Sequence, residues 1–441
     1  MNTPKVTFTI HPGGRFQGEG RVPGDKSISH RSIMLGSIAE GVTQVTGFLE
    51  GEDCLSTLKA FRAMGVPIEG PSNGEVIIQG VGLHGLKPAA GPLDLGNSGT
   101  SMRLMSGLLA GQSFDSVLIG DESLTRRPMR RVTEPLRAMG ARIETTPEGT
   151  APLKITGTPG LTGLDYVMPV ASAQVKSCLL LAGLYANGTT TVHEPAPTRD
   201  HTERMLKGFG AALSRTEGRC CLEPGARLTG RPIDVPSDIS SAAFFMVGAA
   251  IAEGGDVTLR HVGLNPTRTG VIDILRRMGA DLKVLNPREV GGEPVGDLRI
   301  RGSRLQGIEI PEALVPLAID EFPVLFVAAA CAEGETILRG AEELRVKESD
   351  RIQVMADGLQ TLGIRATPTP DGLIIQGGVL NGGTVHARGD HRIAMAFSMA
   401  ALRARAPITV RDCANVNTSF PTFVALAKSM GLEITSETDS E

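Results

Sequence analysis

The segment SAAFFMVGAAIAEGGDVTLRHVGLNPTRTGVIDILRRMGADLKV, from Ser241 to Val284, determines the fold. It begins with a run that is apolar on nearly every face, which predicts a helix buried all round. A small turn and the β-like run GDVTL follow. The second helical stretch, VIDILRRM, mixes charged and apolar positions at helical spacing and should be half exposed. Gly279 then leads into a further strand, so the segment predicts one α/β supersecondary unit.

This unit occurs six times in the chain. The phrase that ends its second helix recurs as FRAMGVPIE, LRAMGARIE, MLKGFGAALS, LRRMGADLKV, LQTLGIRAT and LAKSMGLEI, with glycines at Gly65, Gly140, Gly210, Gly279, Gly363 and Gly431. The steps between these glycines are 75, 70, 69, 84 and 68 residues. Units of this length cannot bury their apolar faces alone, so they pack against copies of themselves. The sequence therefore predicts an α/β (α+β) fold of repeated βαβαββ-type units with buried central helices.

Five β-like runs ending in glycine separate the units, and a sixth is missing at the C-terminus. The N-terminal run VTFTIHPGGRFQGEG has the same pattern and is expected to complete the last unit. Three units then form a first domain over residues 23–235, and three form a second over residues 236–441 plus 1–22. Chain crossings near Val22 and Val235 would make a hinge, so the domains are expected to close over an interdomain cleft. The alternative is one large α/β domain or a doubly wound sheet.

Composition limits the classes of function. The chain has 441 residues with 41% hydrophobic content, enough for two cores. Only 3% of residues are aromatic and Trp is absent, which argues against base-stacking platforms, and a net charge of −4 argues against nucleic acid as a partner. Six cysteines without metal-ligand spacing indicate a reducing, cytoplasmic location and no metal. No signal segment or membrane-spanning run is apparent.

The turns that open the buried helices differ mainly in charge. They carry Lys26, Ser27, His30 and Arg31 in the first unit, Arg103 in the second, Ser172, Gln174 and Lys176 in the third, Asp320 and Glu321 in the fifth, and Asp390, His391 and Arg392 in the sixth; loops add Arg126, Arg127, Arg199 and the segment Arg345 to Arg351. A helix N-terminus presents unpaired N–H groups and about half a positive charge. With Lys and Arg added, these turns predict a multi-site anion-binding surface.

Each of these groups also has a structural interpretation. Lys26 and Arg31 could be surface charges, Asp320 could only cap its helix, and Glu348 with Arg351 has the i,i+3 spacing of a helical ion pair. The run GRVPGDKS has Asp25 before its lysine and lacks the glycine that a phosphate-binding loop needs there. The recurrence of charged groups at equivalent places in successive units favours a shared functional role.

Nine motifs together carry a closer resemblance. The segments GDKSISHRS, GNSGT-x-MR, SLTRRPM, ASAQVKS, TRDHTE, IDEFP, RVKESDR, GDHRIAMA and TSFP, in this order from about residue 10 to 435, resemble the 5-enolpyruvylshikimate-3-phosphate synthase family. The resemblance implies two domains of three units each. It also implies transfer of the enolpyruvyl group of phosphoenolpyruvate to the 5-hydroxyl of shikimate 3-phosphate, without metal or organic cofactor. A cytoplasmic monomer is expected, with no nucleic acid or membrane partner.

The resemblance also implies roles for individual residues. Shikimate 3-phosphate is expected to contact Lys26, Ser27, Arg31, Ser172, Ala173, Gln174, Arg199, Asp320 and Lys347. Phosphoenolpyruvate is expected to contact Lys26, Asn97, Gly99, Arg127, Gln174, Arg351 and Arg392, with the two last arginines on its carboxylate. Glu348 is expected to protonate the methylene carbon, and Asp320, aided by Lys26, to act at the hydroxyl. Gly99 borders the phosphoenolpyruvate site, so the herbicide glyphosate is expected to inhibit this protein, although the chain otherwise resembles the subgroup whose tolerant members carry alanine at this position.

Two positions depart from the family pattern. Relatives commonly carry Lys where this chain has Thr418, which puts one phosphate-binding cation in doubt, and Ala where it has Ser98, which is expected to be harmless. The nearest rival is the UDP-N-acetylglucosamine enolpyruvyl transferase, whose loop cysteine has no counterpart in residues 111–135. A non-catalytic anion-binding protein on the same fold is the other alternative.

Overall fold

The computed structural model describes residues 5–438. These residues form two compact units, one containing residues 24–235 and 290–292, the other residues 5–23, 236–289 and 293–438. The first and last few residues of the predicted second domain, 1–4 and 439–441, lie outside the described part of the chain. No helix in residues 5–438 is long and apolar enough to cross a membrane.

The α-helices of the described residues are, in chain order, α1 (Lys26–Ile38), α2 (Glu52–Ala63), α3 (Gly99–Ala110), α4 (Glu122–Thr125), α5 (Arg130–Ala138), α6 (Ala173–Gly183), α7 (His201–Phe209), α8 (Ile239–Ile251), α9 (Gly270–Arg277), α10 (Phe322–Cys331), α11 (Arg351–Thr361), α12 (His391–Ala400) and α13 (Phe423–Ser429). Short 3-10 helices occur at Glu312–Leu314, Ile319–Glu321, Glu342–Val346, Ala401–Arg403 and Ala414–Thr418.

The strands are β1 (Val6–His11), β2 (Gln17–Gly20), β3 (Glu40–Thr46), β4 (Ile68–Ser72), β5 (Glu75–Val81), β6 (Leu93–Asp94), β7 (Ser116–Ile119), β8 (Arg142–Glu144), β9 (Leu153–Thr156), β10 (Leu161–Thr162), β11 (Asp165–Val167), β12 (Ala186–Asn187), β13 (Thr190–His193), β14 (Leu213–Thr216), β15 (Arg219–Leu222), β16 (Ile233–Asp234), β17 (Asp256–Gly263), β18 (Asp281–Val290), β19 (Glu293–Arg301), β20 (Glu335–Leu338), β21 (Arg365–Thr369), β22 (Gly372–Gln376), β23 (Gly383–His386), β24 (Ile408–Arg411) and β25 (Glu433–Thr438).

The unit around residues 24–235 contains three four-stranded sheets of the same topology. Their orders are β16-β3-β5-β4, β6-β7-β9-β8 and β11-β13-β15-β14. In each sheet the first pair of strands is parallel and the other two pairs are antiparallel. β16, the last strand of the unit, joins the sheet of the first repeat. The repetition seen in the sequence is therefore a repetition of sheet topology, in a mixed α/β fold.

The other unit repeats this strand order in two four-stranded sheets, with help from the N-terminal segment, and its third sheet, β20-β22-β21, has three strands. β1 lies between β24 and β25 and is antiparallel to both, whereas β2 runs parallel to β17 in the sheet β18-β19-β17-β2. The sequence placed the whole N-terminal run with the last repeat, and its second half instead joins the fourth. The run divides because Gly13 and Gly14, both at positive φ, turn the chain between β1 and β2.

Burial follows the apolar pattern. Every residue of α8 is buried, and in α10 only Cys331 is partly exposed, because neither sequence offers a polar face. Helix α9 buries Val271, Ile274 and Leu275 and exposes its arginines. All six repeat glycines have positive φ, between 87° and 106°, just after a helix end. Side chains are disfavoured in that conformation, which explains why glycine marks each repeat.

Candidate active site

In the unit around residues 24–235, hydrogen bonds join α1 to α6 and α7, and α3 to α6. Asp25 caps α1 by accepting from the Ile28 N–H at 2.8 Å, and Lys26 forms an ion pair with buried Asp53. The Arg31 guanidinium is almost fully buried. It donates from Nη1 to the Ser27 carbonyl at 2.9 Å, from Nε to the Thr202 hydroxyl at 2.7 Å and from Nη2 to the Ser177 hydroxyl at 3.0 Å.

The start of α3 holds a second cation. Ser98 caps the helix, accepting from the Ser101 N–H at 3.1 Å, and Gly99 is its first residue. Arg127 donates from Nη2 to the Asn97 amide oxygen at 3.0 Å, and the Asn97 amide nitrogen donates to Asp121 at 2.9 Å. A Cβ placed on Gly99 would lie 2.7 Å from Arg127 Nη1. The missing side chain at Gly99 therefore makes room for the Arg127 guanidinium.

The start of α6 is connected to α3. Ser172 caps α6 by accepting from the Val175 N–H at 3.3 Å, and Ala173 is the first helical residue. Gln174 accepts from the Arg103 guanidinium and donates to the Thr100 hydroxyl at 3.1 Å. Three helix N-termini in one unit thus present N–H groups beside Lys and Arg side chains, the arrangement expected of an anion site.

Two residues of the third repeat are placed differently from each other. Arg199 lies in the loop between β13 and α7, next to Asp200, which pairs with Arg204 at 3.0 Å. Lys176, which the sequence grouped with the anion-binding turns, is fully buried and pairs with Glu194 and Glu203, at 3.1 Å in each case. The structure therefore gives Lys176 internal carboxylate partners.

The other unit holds a compact group of charged side chains around Arg351. This guanidinium is fully buried and contacts three carboxylates: Nε donates to Asp390 at 2.9 Å, Nη1 to Asp320 at 3.2 Å and Nη2 to Glu348 at 2.7 Å. Lys347 Nζ lies 3.8 Å and Arg392 Nη2 3.9 Å from the Asp320 carboxylate. The predicted residues Asp320, Lys347, Glu348, Arg351 and Arg392 are thus neighbours.

Burial and charge set the proton affinities in this group. Burial lowers the pKa of Lys347 below its ordinary value, although Asp320 opposes the shift. Burial also acts against a charged Arg351, but the carboxylates of Asp390, Glu348 and Asp320 outweigh it and raise its pKa. In the other unit, burial and the charges of Lys26 and Arg31 lower the pKa of His30 well below its ordinary value.

Sequence reasoning missed several internal partners. Asp390 caps α12 by accepting from the Arg392 N–H at 3.0 Å, and it also accepts from the Ser349 hydroxyl at 2.9 Å. The pair of Glu348 and Arg351, considered as a weak surface ion pair, is largely buried. Helical spacing could reveal that pair, but the contact of Arg351 with Asp390, 39 residues away, has no local signal.

The two residues that depart from the family pattern, Ser98 and Thr418, both make internal hydrogen bonds. Ser98 accepts from the Ser101 hydroxyl at 2.7 Å, Ser101 is 2.6 Å from the Thr57 hydroxyl, and Thr57 is 2.8 Å from His30 Nδ1. Ser98 therefore ends a buried hydrogen-bonded chain, so its hydroxyl is a structural part of this turn. Thr418 is buried and donates to the Asn415 carbonyl at 2.7 Å.

Repeated α/β units with buried helices, and cations and carboxylates gathered at helix N-termini, are the arrangement expected of a protein that acts on anionic ligands. Residues 10–426 match the family model of EPSP synthase (3-phosphoshikimate 1-carboxyvinyltransferase). The chain belongs to this family.

Individual relatives are similar over almost their whole length. The 3-phosphoshikimate 1-carboxyvinyltransferase of Methylococcus capsulatus is 72% identical over 434 residues, which is 98% of this chain and 99% of the relative. That of Alkalilimnicola ehrlichii is 69% identical over 431 residues, 98% and 97% of the two chains. The structure of EPSP synthase from Acinetobacter baumannii is 61% identical, with a TM-score of 0.88 over 98% of this chain and all of that one.

Proposed function

We propose that the residues described above bind phosphoenolpyruvate and shikimate 3-phosphate and carry out enolpyruvyl transfer between them. The chain is a transferase of the shikimate pathway. It moves the enolpyruvyl group of phosphoenolpyruvate to the 5-hydroxyl of shikimate 3-phosphate, giving 5-enolpyruvylshikimate 3-phosphate and phosphate. The family membership and the high identity to curated relatives over the whole chain support this activity.

The binding residues are those that the family resemblance implies, and the charges of the substrates explain why many of them are cations. Each substrate carries a phosphate and a carboxylate, so several cations and helix N-termini must offset their repulsion. Shikimate 3-phosphate is assigned to Lys26, Ser27, Arg31, Ser172, Ala173, Gln174, Arg199, Asp320 and Lys347. Phosphoenolpyruvate is assigned to Lys26, Asn97, Gly99, Arg127, Gln174, Arg351 and Arg392. The contacts of Arg103 with Gln174 and of Arg127 with Asn97 support the grouping.

The addition step requires one proton on the methylene carbon and one removed from the attacking hydroxyl. Elimination then takes a proton back from that carbon as phosphate leaves. We assign Glu348 to the carbon and Asp320, with Lys26, to the hydroxyl. One observation carries this proposal: Glu348 and Asp320 lie on two nitrogens of the same buried guanidinium, that of Arg351. Because these two carboxylates share one cation, the proton affinities of both change when that cation binds another anion.

Arg351 is assigned to the carboxylate of phosphoenolpyruvate, and its neighbour Glu348 is assigned as a proton donor. An exchange of carboxylates at Arg351 makes both roles possible. A carboxylate bonded to a guanidinium favours its ionised form and is a poor proton donor. The carboxylate of phosphoenolpyruvate competes for Arg351 and takes the place of Glu348 at Nη2. Glu348, released from its cation, then gains proton affinity, takes up a proton from solvent and donates it to the methylene carbon. Binding of the substrate thereby prepares its own proton donor.

A phosphate-release assay of Glu348→Gln tests the assignment. The amide keeps the shape but cannot deliver a proton, so turnover should fall by about 10² to 10⁴-fold while both substrates still bind. Glu342→Gln, at an exposed position in the preceding 3-10 helix, is the matched control and should keep parent turnover. Turnover of Glu348→Gln above roughly a third of the parent rate would remove Glu348 from this role, because general acid catalysis is worth far more.

The same assay separates the two transferase classes. Parent protein is expected to release phosphate with shikimate 3-phosphate and none with UDP-N-acetylglucosamine as acceptor. Monomeric state, cytoplasmic location and the division into domains at residues 23–235 and 236–441 plus 1–22 stay predictions. Light scattering on the purified protein tests the first, and limited proteolysis between the proposed domains tests the last.

A further inference from the structure

Lys176 is a buried lysine that the proposed binding sites do not use. Its side chain has no solvent exposure, and those of Glu194 and Glu203 are 8% and 1% exposed. Lys176 Nζ lies 3.2 and 3.1 Å from the two Glu194 carboxylate oxygens and 3.1 Å from Glu203. Removing charges from water is costly, so a buried ion cluster of this kind needs a reason beyond stability.

The two glutamates stand at opposite ends of one loop. Glu194 follows β13 directly, and Glu203 lies in the first turn of α7, so the loop from residue 194 to 203 begins and ends on Lys176. Within it, the Thr198 hydroxyl donates to Glu194 at 2.6 Å. The next residue of this loop is Arg199. A single amino group on α6 therefore holds both ends of the segment that carries Arg199.

A second, neutral contact lies beside the ionic one. Ser177, the residue after Lys176, is 2.7 Å from the Thr202 hydroxyl, the residue before Glu203. Both hydroxyls accept from Arg31, at 3.0 and 2.7 Å. Consecutive residues of α6 thus contact consecutive residues of α7, and the junction includes Arg31. The positions of Arg31 and Arg199 are set by the same junction.

We propose that Lys176 is a positioning residue for the binding of shikimate 3-phosphate, acting through the loop that carries Arg199. This inference rests on the proposed function, which assigns Arg31 and Arg199 to that substrate. Lys176 touches no substrate itself. It fixes the distance between the start of α6 and the Arg199 loop, so that the cations are already in place when the anion arrives and little ordering cost remains.

The test compares Michaelis constants for the two substrates. In Lys176→Met the apolar side chain keeps the length of the stem but releases Glu194 and Glu203. The KM for shikimate 3-phosphate should rise by about tenfold, because misplacement of a binding group by about 1 Å has effects of this order or larger. The turnover number and the KM for phosphoenolpyruvate should change less than about threefold, since that substrate is assigned to other residues.

Lys207→Met is the matched control. Lys207 is exposed on α7 and six residues beyond the start of that helix. Its replacement removes the same charge from the same region and should leave all three constants unchanged.

If Lys176→Met does not fold, the neutral combination Lys176→Met, Glu194→Gln and Glu203→Gln leaves no buried charge unpaired and is measured in its place. Either variant with an unchanged KM for shikimate 3-phosphate overturns the proposal.

The variant Arg199→Ala distinguishes the positioning role of Lys176 from the underlying assignment of Arg199 to shikimate 3-phosphate. If Lys176 acts through Arg199, the effect of Lys176→Met should shrink when Arg199 is already alanine, and the double-mutant cycle reports a coupling. If Arg199→Ala raises the KM and Lys176→Met does not, Lys176 has no positioning role and the proposed site stands. If Arg199→Ala leaves the KM unchanged, the assignment of Arg199 fails. Additive effects in the cycle would also refute a route through Arg199.

Discussion

Gly99→Ala should weaken the binding of phosphoenolpyruvate because the new methyl group displaces Arg127. The new Cβ would lie 2.7 Å from Arg127 Nη1, whereas ordinary contacts begin at 3.4 Å, so the guanidinium must retreat by about 0.7 Å. Its bond to Asn97, now 3.0 Å, lies on the same side chain and should be distorted. A displaced charge-assisted hydrogen bond is worth about 1.5–3 kcal/mol, which corresponds to roughly ten- to a hundredfold in kcat/KM for phosphoenolpyruvate.

The fold should tolerate this change. Gly99 lies at the start of α3 and outside the positive-φ glycines, so alanine fits the backbone there. Replacement at a compatible position typically stabilises by about 0.4–1 kcal/mol because the unfolded chain loses freedom. Unchanged or slightly higher thermal stability, with lower kcat/KM, would therefore show that the effect is local.

A double-mutant cycle with Arg127→Ala is the decisive assay. Steady-state kinetics of the parent, both single variants and the double variant give the coupling between the two positions. If the methyl group acts through Arg127, it should cost little once Arg127 is absent. A full loss from Gly99→Ala in the Arg127→Ala background would refute the account, since the methyl group would then obstruct the substrate directly.

Three further outcomes are expected. Glyphosate should inhibit the parent protein, and Gly99→Ala should raise its inhibition constant more than the KM for phosphoenolpyruvate, because glyphosate is slightly longer and would meet the new methyl group in addition to the displaced Arg127; an unchanged ratio of the two constants would contradict this. Asp390→Asn should lower the free energy of unfolding by about 3–5 kcal/mol because it breaks the buried pair with Arg351, whereas Asp357→Asn, at an exposed position, should stay within about 0.5 kcal/mol in urea unfolding. Burial lowers the pKa of His30, so below its unfolded pKa, near 6.5, the unfolded chain binds a proton that the folded chain does not. Stability should fall with decreasing pH by up to about 1.4 kcal/mol per unit, and His30→Asn should lack this component; equal pH slopes would exclude it.

Much of the fold could be predicted because its determinants are local. An all-apolar run such as α8 must be buried, and a glycine after a helix end marks a left-handed turn, as Gly279 does at a φ of 94°. Both signals need only neighbouring residues. The division of the N-terminal run between two sheets was not predicted, since the partner strands of β1 and β2 are hundreds of residues away. Strand partners are a long-range property.

The candidate site was less predictable for a similar reason. The sequence shows which charges exist but not which of them neutralise each other. Lys176, Arg351, Lys26 and Arg392 all occur in charged motifs near the start of a helix. Of these four, Lys176 and Arg351 are fully buried among carboxylates, which the motifs do not reveal. Ser98 was expected to be harmless, and its place in a hydroxyl chain depends on Thr57, a residue of another helix. The partners, rather than the residue types, distinguish positioning residues from binding residues.

The partners also suggest how each cation can respond to an anion. Arg31 donates to hydroxyl and carbonyl oxygens and Arg127 to an amide oxygen, and these bonds to neutral oxygens hold each guanidinium in place. Arg351 is held by three carboxylates, so an anion can reach it by replacing one of them. The replacement must itself accept from Nη2, since a buried donor left unpaired is costly. A substrate carboxylate meets that requirement, and its binding to Arg351 offsets the free-energy cost of separating Glu348 from the guanidinium.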